Sequence, residues 1–163
     1  MKANMKVSGF PKVKAALRNI ADRVPKNAAR TMRRSAEIIL EEAKLNTPRD
    51  WGSLEEAIKM REGRGPRGRL EIDIYVDGAQ PVLGRYSLVT VDQYAWIIHE
   101  NYDHLVESKA WKPGKETVKK MLQNPGRHIG SFFLTRAVDE ERPRLMKKMI
   151  QAVAGVIQEE GMA

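Results

Sequence analysis

The sequence predicts an α+β fold, with a small antiparallel sheet packed against a long N-terminal helix and a long C-terminal helix. Three patterns carry this expectation. Ala28, Met32, Ser35/Ala36, Ile39 and Ala43 recur at steps of three and four, which is one face of a helix. Leu70, Ile72, Ile74 and Val76 alternate with Glu71, Asp73 and Tyr75, the period of a half-buried strand. Leu145, Met149, Ala152/Val153 and Val156/Ile157 then return to the helical step.

Taken in order, Phe10 to Val24 reads as a short amphipathic helix with Val13, Leu17, Ile20 and Val24 on one face. A break at Pro25 lets it fold back beside the long helix, because proline suits a first helical turn. The long helix then runs from Pro25 to Asn46. Its charges oppose the macrodipole: Lys26, Arg30, Arg33 and Arg34 precede Glu37, Glu41 and Glu42. Asn46-Thr47-Pro48 stops it, since a residue before proline leaves the helical region. Residues 1–163 fit one domain, with residues 1–24 as a basic arm and short helix and 25–163 as the core.

Thr47 to Gly52 is a turn cluster, and Trp51 within it reads as a core plug or as an anchor on a partner surface. Ser53-Leu54-Glu55-Glu56 has the form of a capping box. Two strands follow, Ala57 to Met60 and Leu70 to Val76. Between them Arg61 to Arg69 holds four arginines, three glycines and a proline, which makes a mobile hairpin loop with a cationic tip. Tyr86 to Val91 is expected as a third strand. A helix from Gln93 to about Asn101, an irregular Tyr102 to Gly114 and a short helix from Lys115 to Leu122 lead to Asn124-Pro125-Gly126. The last helix starts near Gly130 or Ser131, with Pro143 inside it.

Composition narrows the function. The formal net charge is +8 with no cysteine, so disulfide frameworks and thiolate chemistry are absent. No apolar run is long enough to span a membrane, and the first ten residues lack the apolar core of a signal peptide. Residues 1–49 hold twelve Lys/Arg against four Asp/Glu, which equals the whole excess. Such asymmetry fits either a nucleic acid or another polyanion as partner, or a basic surface that is merely solvated.

Candidate chemistry is sparse. His99-Glu100 begins like a zinc-protease motif, but the next histidine is His104 and the i, i+4 pairing on one helix face is lost. No phosphate-binding loop and no nucleophile elbow is present. Asp139-Glu140-Glu141 lies near Arg136 and Arg142 and reads as a salt-bridged helix surface. No catalytic residue, metal site or cofactor is expected, and the chain is not expected to be an enzyme.

Three segments together carry a resemblance. Thr47-Pro48-Arg49-Asp50-Trp51-Gly52-Ser53-Leu54 follows a long helix, Tyr94-Ala95-Trp96-Ile97-Ile98-His99-Glu100 follows the sheet, and Phe132-Phe133-Leu134-Thr135-Arg136-Ala137 opens the last helix. In this order they resemble the head–tail joining (neck or tail-completion) proteins of tailed bacteriophages. The resemblance implies a structural virion protein in the neck, assembled in the host cytoplasm. It implies a homo-oligomeric ring, a hexamer or dodecamer, that touches portal, connector or tail-tube proteins around the DNA channel. On that reading Arg61, Arg64, Arg67 and Arg69 face packaged double-stranded DNA without base-specific contacts. Trp96, Tyr102 and Trp111 are the expected subunit contacts. The alternatives are a free non-specific DNA-binding protein and a small hydrolase built on a metal at His99, Glu100 and His104.

Overall fold

The computed structural model describes residues 10–49, 52–82 and 90–162. The elements run α1 (Phe10–Asn46), α2 (Ser53–Ala57), β1 (Ile58–Arg64), β2 (Leu70–Val76), α3 (Asp92–Glu107), α4 (Lys115–Gln123) and α5 (Phe133–Gly161). This is the expected α+β arrangement. The chain divides into two compact units: residues 1–33 with 144–163, and residues 34–143. The dividing points fall inside α1 and inside α5.

The larger, mixed unit is built around one core. Ile39 and Ala43 of α1, Leu54 and Ala57 of α2, Ile58 of β1, Ala95, Ile98 and Tyr102 of α3, and Phe133 and Ala137 of α5 meet there. Ile74 and Val76 of β2 pack against them. Phe133, Ala137, Ile58 and Ala43 are closed off from solvent. Burial of that apolar surface is the main favourable term for the unit. Gly52 opens α2 with a positive φ of 87°, a conformation costly for any residue with a Cβ. Its carbonyl accepts from the Glu56 N–H at 2.9 Å. The helical turn expected at Ser53 forms, with the left-handed Gly52 backbone at its N-cap.

The smaller unit pairs the first part of α1 with the last part of α5. Arg23 binds the carboxylates of Glu159 and Glu160, the latter at 2.5 Å, and Asn19 donates to Glu160 at 3.0 Å. These donors hold the Glu160 carboxyl below the usual carboxylate range. Val156 is buried in this unit, with Ile20 and Val24 partly covered.

Four expectations are corrected. First, Pro25 lies inside one continuous 37-residue helix, so the short helix does not fold back. Proline removes one backbone hydrogen bond, but the apolar positions keep phase across it, from Val13 and Leu17 through Ile20, Val24 and Ala28. Second, β1 extends to Arg64, so the loop shrinks to a turn. Third, α3 runs on to Glu107 through the stretch expected to be irregular. Fourth, Glu141 is buried, with Ser35 donating to it at 2.7 Å, and so is not part of a surface ion-pair ladder. The expected third strand lies largely outside the described residues, as does Trp51. At its end, Thr90 forms an antiparallel bridge with Pro81.

Candidate functional site

The β-hairpin carries the four arginines expected to be functional. Its register pairs Ile58 with Val76, Met60 with Ile74, Arg61 with Asp73 and Arg64 with Leu70. Alternation therefore puts Ile58, Met60, Ile72, Ile74 and Val76 on one face with Glu62 and Arg64 near its tip, and Lys59, Arg61, Asp73 and Tyr75 on the other, charged face. On the charged face Lys59 binds Asp77 at 2.5 Å and Arg61 binds Asp73 at 2.7 Å. The Arg61 guanidinium also lies 5.6 Å from the Tyr75 ring centroid. The Asp73 carboxylate raises the Arg61 pKa above its ordinary value. Of β1 only Ile58 is buried, so the ribbon projects from the core of its unit.

At the tip the chain turns through a short 3₁₀ segment, Pro66–Gly68, where Arg67 and Gly68 take positive φ values of 62° and 72°. The turn is closed by Gly65 N–H to Arg69 O at 2.8 Å and Gly68 N–H to Gly65 O at 3.1 Å. Arg64 reaches only the Gly68 carbonyl, at 3.3 Å. Arg67 and Arg69 make no ion pair among the described residues. The four arginines are therefore unlike: Arg61 is neutralised across the strands, and Arg64, Arg67 and Arg69 crowd the tip.

The three aromatic candidates also separate. Trp96 on α3 is 68% exposed and Trp111 is 41% exposed. Tyr102 is 6% exposed and belongs to the core, so the structure does not support it as a subunit contact. The steps Ala95, Ile98, Tyr102 put it on the buried face of α3. The Trp111 backbone N–H returns to Leu105 O at 2.9 Å, which fixes the chain just after α3.

His99 points between aromatic rings, 4.9 Å from the Phe133 centroid and 5.7 Å from that of Phe132, both edge-on. Its Nδ1 lies 2.8 Å from Glu100 and its Nε2 3.5 Å from Thr135. His104 is exposed elsewhere on α3. Among the described residues no three His, Cys, Asp or Glu side chains converge on a metal position. The structure thus packs and hydrogen-bonds His99 without joining it to His104.

Sequence reasoning missed two polar assemblies. In one, the buried ammonium of Lys120 on α4 donates to Lys44 O at 2.6 Å, Thr47 O at 2.9 Å and Glu55 at 3.3 Å. It satisfies carbonyls at the end of α1, while burial lowers its pKa. Thr117 supports it by bonding both N–H and C=O of Arg49. In the other, Asp103 receives the Ser131 N–H at 3.1 Å and lies 3.0 Å from His128. A Cβ at Gly130 would come 2.1 Å from the Asp103 carboxylate, so any larger residue would have to displace that side chain. Arg136 donates to the carbonyls of His128, Gly130 and Ser131, and Arg127 pairs with Glu42. Asn46, Gln123, Asn124, Arg127, His128, Arg136 and Glu140 line an open polar cleft of about 720 Å³. The partners lie too far apart in sequence for spacing to reveal either assembly.

Charge is partitioned between the units. Residues 1–33 and 144–163 carry twelve of the 29 Lys/Arg but only three of the 21 Asp/Glu. The mixed unit is nearly neutral. Among the described residues no helix is long and apolar enough to cross a membrane. No curated protein and no solved structure matches the chain. A family model does: residues 12–107, from the first turns of α1 to the end of α3, match the family described as "Bacteriophage HK97-gp10, putative tail-component". The chain belongs to this HK97-gp10-like family of bacteriophage tail components.

Proposed function

We propose that this tail-family protein is a connector subunit at the head–tail joint, where its copies close into a ring around the path of the DNA. A hexamer or dodecamer is the expected closure. It performs no catalysis and takes no cofactor. Its work is to hold portal-side and tail-side proteins together and to present a basic lining to the genome. The observation that carries the reading is the projecting β-hairpin, whose tip presents Arg64, Arg67 and Arg69 without a carboxylate partner among the described residues. A phosphate backbone is met through such charge and forked donors without reading sequence. Arg61 serves the same lining more weakly, because Asp73 already answers its charge.

The test is a set of particles assembled with Arg64, Arg67 and Arg69 replaced by Ser. The isolated variant keeps its circular-dichroism spectrum and melting temperature, and the particles lose packaged DNA or eject it abnormally. Arg61→Ser alone has the smaller effect. Particles of the triple variant that retain and eject DNA normally remove the hairpin from the channel wall. The basic two-helix unit favours a second reading, a free DNA-binding protein. On that reading the isolated chain binds duplex DNA with an affinity that falls steeply with salt, independently of any particle.

A further inference from the structure

Two exposed helix faces of this chain are complementary to each other. The first lies at the start of α1. Its apolar stripe runs Val13, Leu17, Ile20, Val24. Ile20 and Val24 are partly covered, whereas Val13 is 57% and Leu17 61% exposed. The last turn of α5 is tied to Asn19 and Arg23, and no described side chain before Asn19 makes a hydrogen bond or ion pair. The uncovered stripe is flanked by Lys12, Lys14 and Arg18, with no acidic residue between Phe10 and Ala21.

The second face is the outer side of α3. That helix holds Asp92, Glu100, Asp103 and Glu107 and no Lys or Arg, in a chain whose net charge is +8. Gln93, Trp96, Glu100, His104 and Glu107 recur at steps of three and four, and all are exposed. Asp103 is turned to Ser131 and His128, and Glu100 also touches His99. A large indole thus stands at the head of an acidic stripe about 16 Å long at the helical rise.

We propose that the first turns of α1 in one copy dock on the outer face of α3 in the next copy. Leu17 and Val13 pack on Trp96, and Lys12, Lys14 and Arg18 answer Glu100 and Glu107. The occupant is a second copy because the two charge patterns are reciprocal within one sequence. Like-with-like pairing would set cation against cation on α1, or carboxylate against carboxylate on α3. A contact of two unlike patches is heterologous, the kind that builds a ring where the rotation between copies closes. Trp96 supplies the kind of aromatic anchor on which interface energy concentrates. This inference rests on the ring reading above and names the surfaces that would close the ring.

Charge reversal on the full-length chain tests it. One variant carries Lys12→Glu, Lys14→Glu and Arg18→Glu; the other carries Glu100→Lys and Glu107→Lys. All are exposed positions, and circular dichroism checks that both variants keep the wild-type fold. Sedimentation at low salt should show wild-type self-association weakened about tenfold or more in each variant alone. Mixing the two should restore it, because each then offers the other a complementary face. Leu17→Ser and Trp96→Ser should weaken association without any change in net charge. If wild type and both reversed variants associate equally, this interface is wrong and the ring reading stands. A wild-type chain that stays monomeric at raised concentration and low salt overturns both.

Discussion

The two units of this chain are held by different physics. The mixed unit closes apolar side chains from five helices and strands around Phe133 and Ile58, and several of its buried polar groups find partners within it. Ser35 meets Glu141, Lys120 meets the end of α1, and Arg136 gathers three carbonyls. The two-helix unit has little interior of its own. It leaves Val13, Leu17, Met146, Ile150 and Ile157 exposed among an excess of cations. A unit with a closed core and answered charges stands by itself. One with open apolar stripes and an excess of cations is shaped for an external partner. The hairpin extends the same logic within the mixed unit: its base is core and its tip is unpaired arginine.

The sharpest way to break this comparison is to empty the mixed core. Phe133→Ala should cost about 3–5 kcal/mol, measured by urea denaturation, because the side chain is fully enclosed and its removal leaves a cavity. Ala137 and Ile58 cannot collapse into that space without moving α5 or β1. Loss well below that range would mean that the core repacks freely. The contrast with the open two-helix unit would then weaken.

Lys120→Met is the next largest. It keeps the aliphatic bulk but removes the donor from Lys44 O, Thr47 O and Glu55. Leaving such acceptors without a partner costs about 1–3 kcal/mol. The variant also tests a pH dependence. Burial lowers the folded pKa of Lys120 beneath the ordinary lysine value of 10.5, so between those two values the unfolded chain binds more protons. Stability from this group therefore rises with pH through that window. Below the folded pKa the desolvation penalty on the charged amine is fully present. The difference between wild type and Lys120→Met should move in favour of wild type as pH rises towards 10.5. An unchanged difference across that range would show that the ammonium is solvated in the native state.

How much of this was legible depends on how far apart the partners lie. The α5 periodicity, the alternation of β2 and the stop at Asn46-Thr47-Pro48 are local patterns, and each element forms where they place it. Pro25 misled because a local rule was allowed to outrank a longer one: the apolar phase runs unbroken across it. The glycines and proline of residues 61–69 place Arg61 in a loop, yet Asp73 opposite it in the hairpin register supplies a cross-strand partner and holds it in the strand. Tyr102 looked like an interface aromatic, yet its spacing from Ala95 and Ile98 already put it inside. Lys120 is different in kind. A lysine on a short helix reads as solvated, and its acceptors lie 73 and 76 positions away at the end of α1. The acidic character of α3 was in the sequence all along, but it has meaning only once the helix is seen to run to Glu107 and its outer face is known.

The smallest effect is expected where the comparison says the chain is least self-sufficient. Arg23→Ala removes the ion pairs to Glu159 and Glu160, and Leu17→Ser removes an exposed side chain. Arg23 and Glu159 are largely solvated, and pairs of that kind contribute little to stability. Neither variant should shift the main denaturation transition, which reports the mixed core. Local readouts should part them. Amide exchange in α1 before Arg33 should accelerate in Arg23→Ala, since the link from α1 to the last turn of α5 is lost. At a dilution where the chain is monomeric, Leu17→Ser should change exchange less, because that side chain is mostly exposed in its own unit. A cooperative loss of the whole fold in either variant would show that the two-helix unit shares the core's stability and that the contrast between the units does not hold.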